Sequence, residues 1–148
     1  MVKKRTGARI AVAGALLAGA LWYLRDPPWI AGQTTGMWDW EQAADGTRFR
    51  WTTSHASFFV PSDASEATLR IATTFDDPGA QPILVTISVD DARAARLVLM
   101  DAAWHEVIVP LYPRGSRHQR RIDLRTNLTR EDNRALRLGE VHLTRTSQ

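Results

Sequence analysis

Apolar and polar residues alternate with a period of two along most of the chain after residue 66. The alternation is clearest at 67–75 and 83–89, where apolar residues recur mainly at every second position. This period places one face of a strand against a core and the other in water. Shorter segments of the same kind follow at 97–100, 107–111, 121–125 and 136–143. Strands of this length, separated by frequent turns, predict an all-β domain, either an antiparallel β-sandwich or a jelly roll.

The last predicted strand contains a change of phase. Leu136 and Leu138 are in phase with each other, but Val141 and Leu143 are not in phase with them. A β-bulge at 139–140 would let both pairs face the core. We therefore expect an interruption at this point and burial on both sides of it.

A different pattern, an apolar run without alternation, occupies residues 10–24. Lys3, Lys4, Arg5 and Arg9 precede the run, and Pro27-Pro28 would end a helix. By the positive-inside rule, this predicts a single-pass anchor in the inner membrane, with the N-terminus inside and a periplasmic C-terminal domain. The alternative is a signal peptide that is cleaved after Ala20. The predicted division is a cytoplasmic basic flank at 1–9, an anchor or signal peptide at 10–24, a linker at 25–32 and a β-sandwich at 33–148.

Charge and cysteine content limit the classes of partner and of chemistry that the chain can support. The chain has a net charge of +3, but all five cations up to Arg25 lie beside the apolar run, which leaves 14 basic and 16 acidic residues from Asp26 onward. A domain without excess positive charge is a poor match for nucleic acid. The absence of cysteine excludes disulfides and thiol chemistry. No cofactor and no metal site is predicted.

The segment from Thr34 to Val60 holds the densest cluster of aromatic and charged residues. An antiparallel hairpin in which paired positions sum to 89 would explain this cluster. Trp38 would then face Trp51 and Trp40 would face Phe49 on one side, with Asp39 opposite Arg50 and Glu41 opposite Arg48 on the other. The candidate ligand-binding residues are Trp38, Asp39, Trp40, Glu41, Arg48, Arg50, Trp51 and His55. The competing interpretation is that the tryptophans belong to a core, the charges form a solvated ladder and His55 is an exposed loop residue.

Signals for catalysis are few. His105-Glu106 begins a string like that of the zincins, but Val109 stands where the second histidine is needed, so we reject that motif. A nucleophile elbow, a phosphate loop and an EF-hand loop are all absent from the sequence. A basic patch of Arg114, Arg117, His118, Arg120 and Arg121 could bind anionic lipid or polysaccharide, or could simply be solvated.

Several short motifs resemble a known family. They are D-P-P-W-I-A-G at 26–32, T-T-G-M-W-D-W-E at 34–41, R-F-R-W-T at 48–52, A-S-F-F-V-P at 56–61, V-D-D-A-R at 89–93 and L-G-E-V at 138–141. From Asp26 onward the chain resembles the exported jelly-roll tail that follows the last membrane helix of bacterial multi-spanning proteins of glycosyltransferase type. It departs from that pattern in having one apolar run, and in carrying Asp91 where glycine is usual.

The resemblance implies a non-catalytic, carbohydrate-binding or accessory module in envelope glycan machinery. Its expected partners are the membrane, a polytopic glycosyltransferase and a glycan. It provides no catalytic residues, because none is assigned to this tail. Two alternatives stay open at this point: a small envelope glycan hydrolase or esterase, and a purely structural subunit of a membrane complex.

Overall fold

The computed structural model describes residues 3–73, 75, 81–112 and 117–145, with the side chains of the N-terminal helix described from residue 10 onward. An α-helix, α1, runs from Lys3 to Arg25 and is followed by a short 3-10 helix at Pro28–Ile30. Nine strands follow: β1 (Thr34–Gln42), β2 (Arg48–Pro61), β3 (Ala64–Thr73), β4 (Ile83–Val89), β5 (Ala92–Leu99), β6 (His105–Pro110), β7 (Gln119–Thr126), β8 (Leu136–Gly139) and β9 (His142–Arg145).

All the strand pairs are antiparallel, and the main path of the sheet is β5-β4-β7-β2-β8-β3-β6. Strand β1 pairs with β2, and β9 pairs with β3. The sheet curls into a β-sandwich, because the second half of β2 pairs with β7 while its first half pairs with β8. The prediction of an all-β antiparallel sandwich is confirmed.

The core lies where the period-two pattern placed it. In β4 every second residue from Ile83 to Val89 is buried, and in β3 Leu69 and Ile71 are buried in the same way. Ile122 and Leu124 of β7 join the same hydrophobic cluster. Burying a side chain of this size contributes about 1.5–3 kcal/mol, so these positions hold the two halves of the sheet together.

The predicted interruption in the last strand is present, but its consequence is only partly as expected. Strand β8 ends at Gly139 and β9 begins at His142. Leu136 and Leu138 are fully buried and Val141 packs against the core, whereas Leu143 is 36% exposed. Leu143 belongs to β9, all four of whose residues are exposed.

The predicted membrane anchor is wrong. No helix in the part of the chain that the structure describes combines the length and the apolar character needed to cross a bilayer. The apolar run at 10–24 has 15 residues, which at about 1.5 Å each span roughly 22 Å, less than the thickness of about 30 Å of a hydrocarbon core. The single-pass placement in the inner membrane, with a periplasmic domain, is therefore not retained. The boundaries proposed for the linker and the sandwich domain stay a prediction.

Candidate functional site

Strands β1 and β2 form the predicted antiparallel pair, but their register changes along its length. Met37 faces Thr52, and these positions sum to 89 as expected. Trp40 faces Arg50, one residue away from the predicted pairing. A β-bulge between Met37 and Trp40 places one extra residue in β1, and a shift of one residue exchanges the two faces of a strand.

The bulge changes the surroundings of Trp40. The predicted pair with Phe49 is wrong, since Trp40 instead lies beside two arginines of β2. The Cζ atom of Arg48 is 5.2 Å from the centroid of the Trp40 ring, and that of Arg50 is 4.8 Å away. Cations at these distances are attracted to the ring's quadrupole, so Trp40 is held by cation–π contacts rather than by aromatic stacking.

Trp38 and Trp51 share one side of the β1–β2 pair, as predicted, but a third residue links them. The Cζ atom of Arg134 is 5.3 Å from the ring centroid of Trp38 and 4.8 Å from that of Trp51. Trp51 also packs edge-on against Phe49, with ring centroids 5.3 Å apart. Arg134 precedes β8, and the pairing of β8 with β2 brings it to these rings. The sequence analysis did not identify Arg134, because the residues around it give no indication of a contact with Trp38 and Trp51.

The two predicted ion pairs do not form among the described side chains. Nη1 of Arg48 lies 3.3 Å from Oε1 of Glu140, not beside Glu41. Oε1 of Glu41 is instead 4.0 Å from Nη2 of Arg134. Asp39 is exposed on β1 and is not paired with Arg50. The bulge is again the cause, since it places these acidic residues one position away from their expected partners.

Arg50 differs from Arg48 and Arg134, each of which lies near a carboxylate. Its side chain is half-buried, and its Nε–H is buried without a hydrogen-bond acceptor. Within the described residues no carboxylate lies within ion-pair distance of its guanidinium. Burial lowers the pKa of Arg50, because the charged form is partly removed from water. The fold therefore holds a guanidinium whose charge it does not neutralise.

The exposure of the tryptophans decides between a surface platform and a core. Trp38 is 45% exposed and Trp40 is 40% exposed, whereas Trp51 is half-buried. Both outer tryptophans belong to β1, which has no buried residue along its length. Exposed aromatic side chains grouped in this way form a surface that can take a ligand.

A groove of about 500 Å³ opens beside Trp40 and Arg50. Residues 58–61 at the end of β2 line one part of it, and residues 32–34 and 140–143 line the rest. We call it the Trp40 groove. Three segments that are far apart in the chain meet here and form a concave surface next to the candidate residues Trp40 and Arg50.

The chain is similar to β-sandwich domains of carbohydrate-active proteins. One is a family two carbohydrate esterase from Clostridium thermocellum in complex with cellohexaose (10% identity, TM-score 0.46, 78% of this chain and 34% of that chain). Another contains the CBM51-2 and INT domains of Clostridium perfringens ZmpB (10% identity, TM-score 0.48, 78% of this chain and 28% of that chain). A third is the CBM36-1 domain of a multidomain xylanase from the hindgut metagenome of Trinervitermes trinervoides (11% identity, TM-score 0.47, 78% of this chain and 92% of that chain).

These similarities are too low to establish a function for this chain. It spans about a third of the length of the esterase. No family model matches the sequence, and no curated protein matches it. The glycosyltransferase context of the sequence resemblance finds no support in these comparisons.

A second group of arginines and aromatic rings extends the surface around Trp51. The Cζ atoms of Arg70 and Arg137 lie 5.5 and 5.3 Å from the ring centroid of Trp104, which is itself 6.4 Å from that of Phe49. These side chains are buried or half-buried and pack on one another across β2, β8 and β3. None of these four side chains lines the Trp40 groove.

His55, a predicted ligand-binding residue, and His105, from the rejected zincin-like string, each lie near a carboxylate. Nε2 of His55 is 3.5 Å from Oδ1 of Asp123, and Nε2 of His105 is 2.8 Å from Oδ1 of Asp101. The hydrogen bond with His105 lowers the pKa of Asp101. Neither histidine lines the Trp40 groove, whose lining includes Trp40 and Arg50 of the candidate residues.

The predicted basic patch is largely neutralised. Arg120 is only 3% exposed, and its Nε–H donates to Oδ2 of Asp90 over 2.5 Å. Nε of Arg121 donates to Oδ2 of Asp123 over 3.0 Å. Hydrogen bonding to Asp123 raises the pKa of Arg121. These two arginines stabilise the sandwich and are not free to bind an anionic partner.

His118 pairs with the end of the N-terminal segment. Its backbone N–H donates to Oδ2 of Asp26 over 2.7 Å, and its Nδ1 lies 2.5 Å from the same oxygen. The backbone hydrogen bond is the main reason why the pKa of Asp26 is lowered. Of the other patch residues, Arg117 is exposed, and Arg114 lies outside the described residues.

Proposed function

We propose that this β-sandwich is a non-catalytic carbohydrate-binding module. The observation that supports it is the exposure of Trp38 and Trp40 on β1. The C–H face of a pyranose ring is apolar, and an exposed indole offers a large, rigid apolar surface with a polar N–H at its edge. Two such rings on one strand suit an extended sugar chain better than a small buried ligand.

Polar groups around the rings match the hydroxyl groups of a sugar. Arg48 and Arg50 donate hydrogen bonds, while the carboxylates of Asp39, Glu41 and Glu140 accept them. A sugar hydroxyl both donates and accepts, so it needs neighbours of each kind. The Trp40 groove provides a concave surface beside these groups, as specific small-ligand sites usually do.

Binding to a glycan array tests this proposal. Trp38→Ala and Trp40→Ala should each weaken glycan binding by about tenfold or more, which corresponds to about 1.4 kcal/mol or more. The matched control is Trp29→Ala, because Trp29 is 58% exposed and lies in the 3-10 helix before β1, outside the β1–β2 pair. Each variant is checked by circular dichroism and thermal unfolding. If the array retains no wild-type protein, or if all three variants bind equally well, the proposal is wrong.

A finer proposal is that the module assists a glycosyltransferase. Its support is the sequence resemblance of the motifs between 26 and 141, not the geometry of the site. Affinity capture from cell extract, followed by mass spectrometry, tests it. Recovery of a glycosyltransferase with the wild-type chain would support the accessory role, and repeated capture without any protein of that class would contradict it.

The alternative of a glycan hydrolase or esterase has weaker support. His55 and His105 each have a neighbouring carboxylate, as a general base would need. Among the described residues, however, no serine hydroxyl hydrogen-bonds to either imidazole ring. Both histidines also lie away from the Trp40 groove. Carbohydrate binding is therefore the function that we propose.

A further inference from the structure

Resting on the proposed function, we infer that the ligand is an anionic saccharide, whose carboxylate or sulfate group binds the guanidinium of Arg50 in the Trp40 groove. The inference concerns the class of sugar, not only the ability to bind one. It follows from the charges around Trp40 and from the way in which Arg50 is held.

The charged side chains around the groove are not all paired with one another. Arg48 and Glu140 lie 3.3 Å apart and largely neutralise each other. Arg50 adds a second cation, and the described residues place no carboxylate within ion-pair distance of it. Asp39 is a neighbour of Trp40 in the chain but does not line the groove. Among the described residues the guanidinium of Arg50 is therefore left without a carboxylate partner, and a neutral sugar would leave it so.

The stacking of Arg50 leaves part of its guanidinium available. Its Cζ atom is 4.8 Å from the Trp40 ring centroid, so the arginine and the indole support each other. The N–H donors of a guanidinium lie in its plane and point away from its edge, so stacking on a ring does not consume them. The Nε–H of Arg50 is buried without an acceptor, which leaves the terminal amino groups as its outward donors.

Carboxylate and sulfate oxygens are the natural partners of these donors. Arginine binds planar or tetrahedral oxyanions through two parallel hydrogen bonds, which makes the contact directional as well as strong. Half-burial of Arg50 strengthens it further, because water screens the two charges less than at an open surface. Trp40 beside the arginine would at the same time contact the sugar ring that carries the anionic group.

A glycan array carrying hexuronate, sialylated, sulfated and neutral oligosaccharides tests the inference with the full-length chain. Anionic glycans should be retained at least about tenfold more strongly than neutral glycans of the same length. The hexuronate and sulfated spots distinguish the two possible anions. Methyl esterification of the hexuronate spots, which removes the charge but keeps the sugar ring, should abolish that preference.

Variants of Arg50 identify the residue responsible. Arg50→Gln should lose the preference for anionic glycans, and Arg50→Lys, which keeps the charge without the two-donor fork, should retain part of it. Arg96→Gln is the matched control, because it removes one exposed positive charge from β5. It should bind anionic glycans as the wild type does. Unfolding curves confirm that each variant is folded; if Arg50→Gln does not fold, Arg50→Lys and the esterified spots still decide.

The outcomes separate this inference from the proposed function. If the chain binds neutral glycans as strongly as anionic ones, the inference is wrong and the carbohydrate-binding proposal stands. The inference is also wrong if Arg96→Gln weakens anionic binding as much as Arg50→Gln, since overall charge would then be responsible. Retention of no glycan of any class overturns the proposed function itself.

Discussion

The ion pair between the buried Arg120 and Asp90 should make a large contribution to the free energy of unfolding. Arg120 is a buried cation whose Nε–H donates to Asp90 and whose Nη1 donates to the carbonyl oxygen of Tyr112. Asp90 also accepts the backbone N–H of Arg121 through Oδ1, over 2.9 Å. Removing one partner of a buried ion pair leaves an uncompensated charge in a poorly solvated place. We expect Asp90→Ala to lower the free energy of unfolding by about 3–5 kcal/mol, measured by urea titration.

The neighbouring aspartate provides the control. Asp91 has a left-handed φ of 68° and pairs with Arg121 near the surface, where its own side chain is exposed. Asp91→Gly gives up an exposed ion pair worth about 0–1 kcal/mol and relieves a strained backbone, so the two effects nearly cancel. Equal losses for Asp90→Ala and Asp91→Gly would show that the buried pair with Arg120 is not what stabilises the turn.

Asp26 gives the stability a dependence on pH. Its pKa is lowered mainly by the hydrogen bond from the backbone N–H of His118. Because the pKa is lower in the folded state than in the unfolded state, the stabilisation is complete above about pH 4 and is lost as the pH falls through the folded-state pKa. The difference in unfolding free energy between the wild type and Asp26→Asn should therefore shrink from about pH 6 to about pH 3, as measured by urea unfolding.

Asp63 serves for comparison, since its Oδ2 accepts from Nε of Arg145 over 3.0 Å with both side chains well exposed. An exposed pair of this kind contributes little. Asp63→Asn should therefore change the unfolding free energy by less than about 1 kcal/mol across the same pH range. A gap between the wild type and Asp26→Asn that is equally large at both ends of the range would contradict the assignment.

At the scale of the elements, the fit of β1 against β2 depends on Gly36. Its φ is 65°, and a Cβ atom there would lie 2.1 Å from the carbonyl oxygen of His55. Gly32 has a similar φ of 78°, but a Cβ atom there would meet nothing within 4 Å. Gly32→Ala should cost about 1–2 kcal/mol for the left-handed backbone alone, while Gly36→Ala adds about 1–3 kcal/mol for the clash. Urea titration of both variants separates the two costs.

A specific signature accompanies the larger loss. Because the clash lies within the β1–β2 pair, Gly36→Ala should also shift the fluorescence of the nearby tryptophans before global unfolding, whereas Gly32→Ala should not. Indistinguishable unfolding curves for the two variants would mean that β1 adapts to the extra atom, and that the close approach of the two strands is not required.

The elements themselves could be predicted from the sequence because alternation reports burial directly. Ile83 to Val89 and Leu69 to Ile71 were identified as strands for that reason, and the structure buries the same side chains. The register of β1 against β2 could not be predicted in the same way. The bulge between Met37 and Trp40 adds one residue to β1 and cannot be recognised in the local sequence pattern. It nevertheless changes the residues that Trp40 faces.

At the scale of the whole molecule, the parts that sequence reasoning missed are those assembled from distant segments. The Trp40 groove joins residues 32–34, 58–61 and 140–143, and Arg134 reaches Trp38 only because β8 lies beside β2. The local pattern of apolar and polar residues does not show which distant segments of the chain come into contact. The wrong prediction of an anchor has a local origin, because it relied on the unbroken apolar character of the run at 10–24 and gave too little weight to its length.

The sandwich should be stable without its N-terminal helix. The hydrophobic core runs from Phe58 to Leu138, entirely within the strands and their connections. Side chains from Ile10 to Arg25 are exposed, and in the described part of the chain the end of α1 meets the sandwich around a cavity of about 320 Å³ beside His118. Removing residues 1–25, which keeps Asp26, should therefore change the free energy of unfolding by less than about 1 kcal/mol.

Urea titration followed by tryptophan fluorescence measures this, with circular dichroism to show that helical signal has been lost. The slope of unfolding free energy against urea should stay the same, because the slope depends on the surface that becomes exposed and the helix is already exposed in the folded state. A slope that falls in proportion to the residues removed would show that α1 unfolds together with the sandwich. In that case the helix belongs to the cooperative unit, and its exposed side chains contribute to the stability of the strands.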